Sequence, residues 1–278
     1  MGELGNMSKR IVVTGGSGFL GRAVIKNAQE RGHEAWPFDR KQGQDILGSL
    51  KDFRGADTVI HLAGVLGTSE LFDMPETAID VNVKGTLRIL QWCKDNEASF
   101  VGITMLPVFP SVYTATKVCA QSIASAWHKA YDVPVSHVRA FNAYGPYQPY
   151  GPGHPQKIVP TFAVNAWIHQ PLPVWGDGTQ TLDLIHVDDV ARMLVDATDF
   201  GKDELFEAGT GVEVTVNEVA EFIIEHTGST AGSEHLPMRK GEDPTNVVST
   251  RLGWDLLDWN PVMNWDRLKE TIDWYRNA

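Results

Sequence analysis

The feature that most constrains this chain is a glycine-rich turn near its N-terminus. A short β-branched run at 11–13 leads into Gly15, Gly18 and Gly21, and a helical pattern of apolar residues follows over 19–31. In dinucleotide-binding sheets, a strand and a helix flank glycines at this spacing, and the phosphates lie against the turn. The turn therefore predicts a parallel α/β sheet that binds a dinucleotide.

Each glycine has a separate task in this prediction. Gly15 permits the tight turn, Gly18 lets a pyrophosphate approach the backbone, and Gly21 lets the helix pack close to the sheet. The first turn of the helix, which contains Phe19 and Leu20, directs its free N–H groups and its dipole at the phosphates. We therefore expect these five residues to bind the cofactor.

The choice of dinucleotide depends on Asp39. This residue lies 18 positions after Gly21, at the end of a second predicted strand at 34–38. Its carboxylate can accept hydrogen bonds from the adenosine ribose hydroxyls and would repel a 2′-phosphate, which favours NAD over NADP. Arg40 keeps NADP open as the alternative, because a guanidinium at this place can pair with that phosphate.

The rest of the chain first alternates strands with helices and then becomes less regular. This order predicts a Rossmann-type doubly wound parallel sheet, with ligands at the carboxyl ends of the strands. We assign residues 9–145 to an NAD-binding domain, to which 183–205 returns, and 146–278 mainly to a smaller substrate-binding lobe. The further predicted strands are 58–60, 100–103 and 133–138, and the further helices are 76–95 (with Ile79, Val83, Leu87, Ile89 and Leu90 facing inward), 112–131 and 187–198.

A tyrosine and a lysine, Tyr113 and Lys117, lie four residues apart in the predicted helix 112–131 and share one face there. A neighbouring ammonium stabilises a phenolate, so we expect the pKa of Tyr113 to fall and its hydroxyl to exchange a proton with a substrate alcohol. Alone, such a pair is typical of a helix surface. Downstream of the glycine turn it predicts a catalytic acid–base pair.

Composition argues against several other classes of protein. The net charge of −11 repels nucleic-acid backbones. No apolar run approaches the ~20 residues that span a bilayer, and residues 1–9 lack the apolar stretch of a signal peptide, so we expect a cytoplasmic protein with no membrane partner. The two cysteines, Cys93 and Cys119, are far apart in sequence and are interpreted as buried reduced thiols. No metal is expected, because His186 and the two aspartates after it are better explained as the start of a helix.

Several further motifs accompany the glycine turn and the Tyr113/Lys117 pair. They are HLAG at 61–64, VNVKGT at 81–86, RAFNAYGP at 139–146, GDGTQT at 176–181, HVDDVA at 186–191 and LGW at 252–254. Together they resemble the extended short-chain dehydrogenase/reductases, in the NAD-dependent epimerase/dehydratase branch that acts on nucleotide sugars. The resemblance covers nearly the whole chain, and the combination is far more specific than any single motif.

The resemblance implies roles for individual residues. Around the cofactor, it places Asp45 and Ile46 at the adenine, and Lys117 together with Tyr113 at the nicotinamide ribose. Asn82 has a structural role, in which it bonds backbone near the cofactor. The implied lining of the cofactor path is Leu62, Ala63 and Gly64.

On the substrate side, the resemblance implies that Asn142 and Arg239 contact the diphosphate of a nucleotide sugar. A surface salt bridge is the equal alternative for Arg239. His154, in a proline- and glycine-rich loop, is a candidate sugar or phosphate contact, and Val159 and Trp175 are further substrate-binding positions. The resemblance also implies a homodimer through the helices 76–95 and 112–131.

The chain departs from the family at the hydroxyl that normally assists the tyrosine. Thr104 is the only hydroxyl at the end of the fourth predicted strand, and we assign it this catalytic role. A strict register puts the usual hydroxyl one residue later, on Met105. A shift of one residue points a side chain to the other face of a strand, although a bulge could restore it. Ser111 is the fallback.

Three further departures concern the substrate. The loop between Thr104 and Tyr113 is short, which would leave the sugar site more open. Met105 and Leu106 replace the Asp–Glu pair of the dehydratases, which argues against a 4,6-dehydratase and also disfavours a decarboxylase of sugar acids. Leu182 stands where the family often has an arginine, so that one phosphate contact, about 1.5–3 kcal/mol for a charged hydrogen bond, is lost.

The sequence supports three hypotheses of function. The first is an NAD-dependent nucleotide-sugar 4-epimerase, in which Tyr113 takes the proton of the 4-hydroxyl while NAD takes the hydride and later returns it to the other face. The second is a reductase of nucleotide 4-ketosugars that uses the same residues once with NADH or NADPH. The third, of a different class, is a non-catalytic dinucleotide sensor or scaffold, which the intact Tyr113 and Lys117 oppose.

Overall fold

Six parallel strands form the central sheet of the computed structural model, which describes residues 8–277. Residues 1–7, part of the segment considered above for a signal peptide, lie outside this range. The strands are β1 Arg10–Thr14, β2 Glu34–Phe38, β3 Thr58–His61, β4 Ser99–Thr104, β5 Val135–Ala140 and β10 Lys202–Ala208. Their order across the sheet is β2-β1-β3-β4-β5-β10, which confirms the predicted doubly wound sheet.

Helices cover both faces of this sheet and build the second lobe. They are α1 Phe19–Glu30, α2 Pro75–Ala78, α3 Gly85–Asp95, α4 Val112–Tyr131, α5 Ile158–Trp167, α6 Val187–Asp196, α7 Val216–Thr227, α8 Trp254–Leu257 and α9 Trp265–Trp274. Short 3₁₀ turns lie at Arg40–Gln42, Lys51–Phe53, Glu70–Phe72 and Ala197–Asp199. Within residues 8–277, no helix combines the length and the apolar composition that crossing a bilayer requires.

Strand β1 is apolar on both faces because helices cover both faces of the sheet. Along β1, Ile11 and Val13 point into a core with α1 and α6, whereas Val12 points into the core under α3 and α4. All three are fully buried. Such two-sided burial explains why this strand reads as a continuous β-branched run and does not alternate with polar residues.

Three pairs of short strands, with α5, α7 and α9, surround the third core, whose members include Phe162, Leu172 and Ile272. The pairs are β6 Asn142–Tyr144 with β9 Leu184–His186, β8 Thr181–Leu182 with β11 Val214–Thr215, and β7 Leu172–Trp175 with β12 Ser233–Leu236. The division into domains at 145 and 146 stays a prediction. Two neighbouring segments do join the main sheet, since α6 packs on α1 and β10 pairs with β5.

The predicted helix 76–95 is interrupted, and part of its predicted inward face was wrong. A π-helical turn, Ile79–Lys84, separates α2 from α3. A π-helix has more residues per turn than an α-helix, so each residue rotates the chain by a smaller angle about the helix axis. The buried face therefore changes. Ile79 and Leu87 are 46% and 37% exposed and Val83 is half-buried, whereas Ile89 and Leu90 are fully buried as predicted.

Two smaller expectations also changed. The strand predicted at 133–138 lies at Val135–Ala140, because Pro134 has no N–H to donate to a sheet ladder. Cys93 is buried as expected, but Cys119 is exposed on α4, so its interpretation as a buried thiol was wrong.

Candidate active site

The site is built where β1, β3, β4 and β5 end. Because these strands are parallel neighbours in the sheet, the segments that follow Thr14, His61, Thr104 and Ala140 meet at one edge. This edge is the usual ligand position in doubly wound sheets.

The glycine turn between β1 and α1 packs so closely against neighbouring backbone that side chains would not fit. Gly15 has a φ of +70°, which a side chain would strain, and a Cβ there would lie 2.9 Å from the backbone nitrogen of Ala63. A Cβ on Gly21 would collide with the Gly15 carbonyl oxygen, so only glycine allows α1 to pack so close.

The start of α1 is available to an anion. Gly18 is the N-cap and supplies no side-chain acceptor, and no acidic residue lies in the first turn. The first N–H groups of a helix have no intrahelical partner. At this end of α1, with Phe19 and Leu20 half-buried, a phosphate would satisfy those groups and benefit from the helix dipole. The turn thus fits the pyrophosphate of a dinucleotide.

Asp39 and Arg40 lie at the end of β2 but have different partners. One Asp39 oxygen accepts hydrogen bonds from the Ser17 amide at 3.0 Å, and the other from the Lys41 amide at 2.9 Å. The Arg40 Nε donates to Asp45 Oδ2 at 3.0 Å. A hydrogen bond from the Leu47 amide, together with Arg40, holds the pKa of Asp45 below its usual value. Arg40 is therefore already paired with a carboxylate, which favours a free ribose over a 2′-phosphate.

The predicted adenine and path residues line this same region. Ile46 is buried against Gly85. The amides of Leu62 and Ala63 both donate to the Thr14 hydroxyl, at 3.2 and 3.1 Å. Gly64 is exposed, and a Cβ on it would lie 3.0 Å from the Asn82 side-chain oxygen, so a side chain there would press on Asn82.

Asn82 has the structural role that the resemblance implies. Its side chain accepts from the Val65 amide at 2.9 Å and donates to the Val65 carbonyl and to the Thr116 hydroxyl, both at 3.1 Å. The Thr116 hydroxyl in turn donates to the Tyr113 carbonyl at 2.9 Å. Asn82 thereby ties the loop after β3 to the helix that carries Tyr113.

A buried histidine extends this network toward the glycine turn. His61 Nδ1 lies 2.7 Å from the Thr14 hydroxyl and its Nε2 lies 3.0 Å from the Thr86 hydroxyl. Because the Thr14 oxygen already accepts two amide hydrogens, its own proton goes to Nδ1, and Nε2–H donates to Thr86. Burial, with Lys117 nearby, lowers the pKa of His61 to about 3, so the ring is neutral at physiological pH. The sequence predicted no such role for His61.

Tyr113 and Lys117 lie in the first turns of α4, which begins after the N-cap Ser111. Neither side-chain polar atom has a hydrogen-bond partner within residues 8–277. Burial raises the pKa of Tyr113 to about 12 and lowers that of Lys117 to about 8. The expectation that Lys117 lowers the pKa of Tyr113 was therefore wrong, because burial disfavours the charged phenolate and raises this pKa.

The structure does not bring Thr104 to Tyr113. Thr104 is buried, its hydroxyl donates to the Gln121 side chain at 2.9 Å, and Met105 lines the cavity at this place. This agrees with the strict register, in which position 105, and not position 104, corresponds to the usual catalytic hydroxyl. The fallback Ser111 is also engaged, since its hydroxyl caps α4 by accepting from the Thr114 amide at 3.1 Å.

A cavity of about 370 Å³ opens beside Tyr113. It brings together most of the predicted substrate-binding residues, and its lining includes Tyr113, Asn142, Val159, Trp175 and Arg239. His154 does not belong to this group, because it is exposed and lies outside the lining. Its assignment as a substrate contact finds no support in the geometry.

The sequence left two alternatives open for Arg239, a salt bridge and a contact to the substrate diphosphate, and its position is compatible with both. It forms a two-pronged ion pair with Glu242, with Nε 3.0 Å from Oε2, and its guanidinium lies 5.8 Å from the centre of the Trp175 ring. It also lines the cavity, so that a diphosphate there would compete with Glu242 for it.

Lys157, which was not among the predicted site residues, lines the same cavity. It is the N-cap residue of α5, and its side chain has no hydrogen-bond or ion-pair partner in the described part of the chain. Burial and the nearby Arg239 lower the pKa of Lys157. The sequence signal that could have revealed this residue is a lysine directly before a strongly apolar helix.

The structure combines three capabilities at this edge of the sheet and in the cavity beside it. The glycine turn can hold a dinucleotide pyrophosphate, and Tyr113 can exchange a proton with an alcohol. Lys157 and Arg239 can bind an anionic group in the cavity that Tyr113 also lines. Such a combination suits oxidation or reduction of an alcohol carried by a phosphorylated substrate.

The known proteins to which this chain is similar agree with such chemistry. Residues 11–209 match the model of a protein family described as the NAD dependent epimerase/dehydratase family. A dTDP-glucose 4,6-dehydratase of Streptomyces niveus is 27% identical, over 96% of this chain and 93% of the relative. A UDP-glucuronate 4-epimerase of Thermodesulfobacterium geofontis is 28% identical, over 82% and 75% respectively.

Solved structures share the fold over nearly the whole chain. An epimerase of Methanothermobacter thermautotrophicus superposes with a TM-score of 0.89 at 25% identity, covering 97% of this chain and 93% of its own. A UDP-glucose 4-epimerase of Thermotoga maritima, solved with UDP-glucose, gives a TM-score of 0.88 at 24% identity, covering 96% and 99%.

Proposed function

Because this chain belongs to the NAD-dependent epimerase/dehydratase family, we propose that it is a nucleotide-sugar 4-epimerase that uses NAD and acts by reversible oxidation at the sugar C4. The relatives are named as epimerases, dehydratases and decarboxylases, and this chain is an enzyme of the same family. The third hypothesis, a non-catalytic sensor, is therefore not retained. The observation that carries the proposal is the position of Tyr113, which lines one cavity with the two cations Lys157 and Arg239.

The proposed cofactor site uses the glycine turn, Asp39 and the start of α1. Asp39 would accept the adenosine ribose hydroxyls, and the free amides at the start of α1 would hold the pyrophosphate. Lys117 would hold the nicotinamide ribose. When bound, NAD supplies a hydride acceptor that returns the same hydride later in the cycle.

The chain's own residues would manage the proton and the sugar. Tyr113, in its phenolate form, would take the proton of the C4 hydroxyl as the C4–H bond breaks and the hydride leaves C4, which gives a 4-keto sugar. The keto sugar rotates in the cleft, and Tyr113 returns its proton to the oxygen after the hydride has returned to the opposite face of C4. Oxidation and reduction cancel, so no external oxidant or reductant is consumed.

The segment after β4 favours this chemistry over the other reactions named among the relatives. Elimination of water needs an acid and a base beside the sugar, whereas Met105 and Leu106 line the cavity there. Neither side chain can exchange a proton at neutral pH. This supports an epimerase or a reductase and opposes a dehydratase.

The 4-ketosugar reductase stays the second candidate, because it would use Tyr113 and Lys117 in the same positions. One experiment separates the two. Small molecules released from the purified protein are identified by mass spectrometry, and the protein is then incubated with UDP-, GDP- and dTDP-sugars without added cofactor. Bound NAD and a mixture of C4 epimers would support the proposal. A parallel incubation supplies the nucleotide 4-keto sugars with NADH or NADPH. Turnover only in this second incubation, with one NADH or NADPH consumed for each product, would replace the proposal.

Two other expectations stay predictions. The cytoplasmic location rests on the sequence and on the family. The homodimer through α3 and α4 fits the exposed apolar side chains Leu87 and Val118 on these helices and can be checked by light scattering.

A further inference from the structure

Four apolar side chains form the wall of the cavity beside Tyr113. We call them the reaction-end wall, and they are Met105, Leu106, Val108 and Phe109. All are half-buried in the short segment that joins β4 to α4. The only side-chain heteroatom among them is the Met105 sulfur, which lies 3.9 Å from the Thr114 hydroxyl. The wall therefore offers no good side-chain hydrogen bond to a sugar hydroxyl.

The neighbouring strand continues this apolar surface. The register of β4 and β5 pairs Thr104 with Arg139, so Met105 and Ala140 leave the sheet side by side. Ala140 and Phe141 line the cavity as well. The first polar side chain on this side is Asn142. The substrate end that reacts would thus lie between two apolar surfaces.

The charged groups of the cavity belong to other segments. Lys157 precedes α5, and Arg239, Glu242 and Asp243 lie in the segment after β12. No charged side chain is contributed by residues 105–109. The cavity therefore combines an apolar, uncharged segment that leads into α4 with charged side chains that other segments contribute.

We propose that the enzyme selects nucleotide 6-deoxyhexoses, and this inference rests on the 4-epimerase proposed above. In these sugars a methyl group replaces the hydroxymethyl group on C5, the carbon next to the reacting C4. A methyl group can lie against the reaction-end wall at no polar cost. A hydroxyl placed there loses its water without gaining a partner, and a carboxylate loses more. Discrimination of about 10- to 100-fold against the hydroxyl corresponds to such an unmade hydrogen bond.

The test uses three sugars that differ only at C6, namely UDP-6-deoxyglucose, UDP-glucose and UDP-glucuronate, together with the same series on dTDP. Affinities are measured by calorimetry on the NAD-loaded Tyr113→Phe protein, and turnover is measured on the wild type. The 6-deoxy sugar should bind at least tenfold tighter than the glucose compound, and the glucuronate should bind weakest. Equal or tighter binding of glucose or glucuronate overturns the inference.

Two valine variants locate the selectivity. Val108→Thr adds a hydroxyl to the reaction-end wall with little change of shape, and it should lower the 6-deoxy preference at least threefold. Val262→Thr makes the same change at a residue that is 64% exposed and should leave the preference unchanged. An unchanged preference in Val108→Thr contradicts the role of the wall.

The same data separate this inference from the proposed function. If the binding order holds but no sugar is epimerised, the epimerase proposal fails and the selectivity stands. If UDP-glucose is epimerised as well as the 6-deoxy sugar, the epimerase proposal stands and the selectivity fails. Absence of binding in both series contradicts both.

Discussion

The carboxylate of Asp39 accepts a 3.0 Å hydrogen bond from the backbone N–H of Ser17. The residue expected to bind the adenosine ribose is thus attached directly to the turn expected to bind the pyrophosphate. The two parts of the cofactor site are held in one geometry before a ligand arrives, which reduces the ordering cost of binding.

Replacing Asp39 by Asn keeps its size and removes its charge. The ribose and the Ser17 amide then lose a charge-assisted hydrogen bond, so the dissociation constant of NAD should rise about tenfold. The preference for NAD over NADP should narrow, because repulsion of the 2′-phosphate is gone. Calorimetric titration with both dinucleotides checks this, with Asp255→Asn on the exposed face of α8 as the control. An unchanged preference would show that Asp39 does not select the cofactor.

Lys117→Met should raise the free energy of unfolding at pH 7 while it abolishes turnover. The folded-state pKa of Lys117 is lowered from 10.5 to about 8, so below pH 8 the folded protein bears the cost of a poorly solvated ammonium, on the order of 3 kcal/mol. Between pH 8 and 10.5 the folded state has lost a proton that the unfolded state retains, so this cost disappears as the pH rises.

Urea denaturation at pH 7 and at pH 10 measures the effect. The gain of the variant over the wild type should shrink at the higher pH. Lys129→Met, an exposed lysine in the same helix, should show no such pH dependence. A variant that is less stable than the wild type at pH 7 would contradict the burial argument.

Tyr113→Phe removes the proposed proton carrier and nothing else. Turnover should fall by about 10²- to 10⁴-fold, the usual contribution of a positioned acid–base group. NAD binding and the melting temperature should stay close to those of the wild type, because the hydroxyl has no partner in the described structure. Tyr131→Phe is the matched control, because Tyr131 lies at the other end of the same helix and is 48% exposed. Equal activity of the two variants would remove Tyr113 from the mechanism.

Leu182→Arg should strengthen the binding of the nucleotide diphosphate. Leu182 lines the same cavity as Lys157 and Arg239, and a guanidinium there can form a charged hydrogen bond to a phosphate. The dissociation constant of UDP should fall about tenfold. Leu256→Arg, at a residue that is 61% exposed, controls for the added net charge. No gain at position 182 would show that the phosphates lie elsewhere.

The sheet and the cofactor turn could be predicted because their signals are local. The β1 run, the glycine spacing and the acidic residue after β2 each depend on a few adjacent residues. The interrupted helix 76–95 could not be predicted in this way. Asn82 lies in the π-helical turn and bonds to Val65 and Thr116, which are remote in sequence.

The substrate end of the site was predicted less well for the same reason. Whether Thr104 faces the cavity depends on its bond to Gln121, which the strand pattern does not contain. Lys157 and Arg239 line one cavity, although they are remote from each other in the sequence. Residues that are brought together by tertiary packing leave no spacing in the sequence.

The most direct test of the central claim follows the hydrogen on C4. A nucleotide sugar carrying deuterium at C4 is incubated in ordinary water with the purified enzyme and no added cofactor, and the epimers are examined by NMR. Reversible oxidation by a bound cofactor predicts that the product epimer retains deuterium at C4. Product in which solvent hydrogen has replaced the deuterium, or no epimer from a protein that carries NAD, would contradict the account.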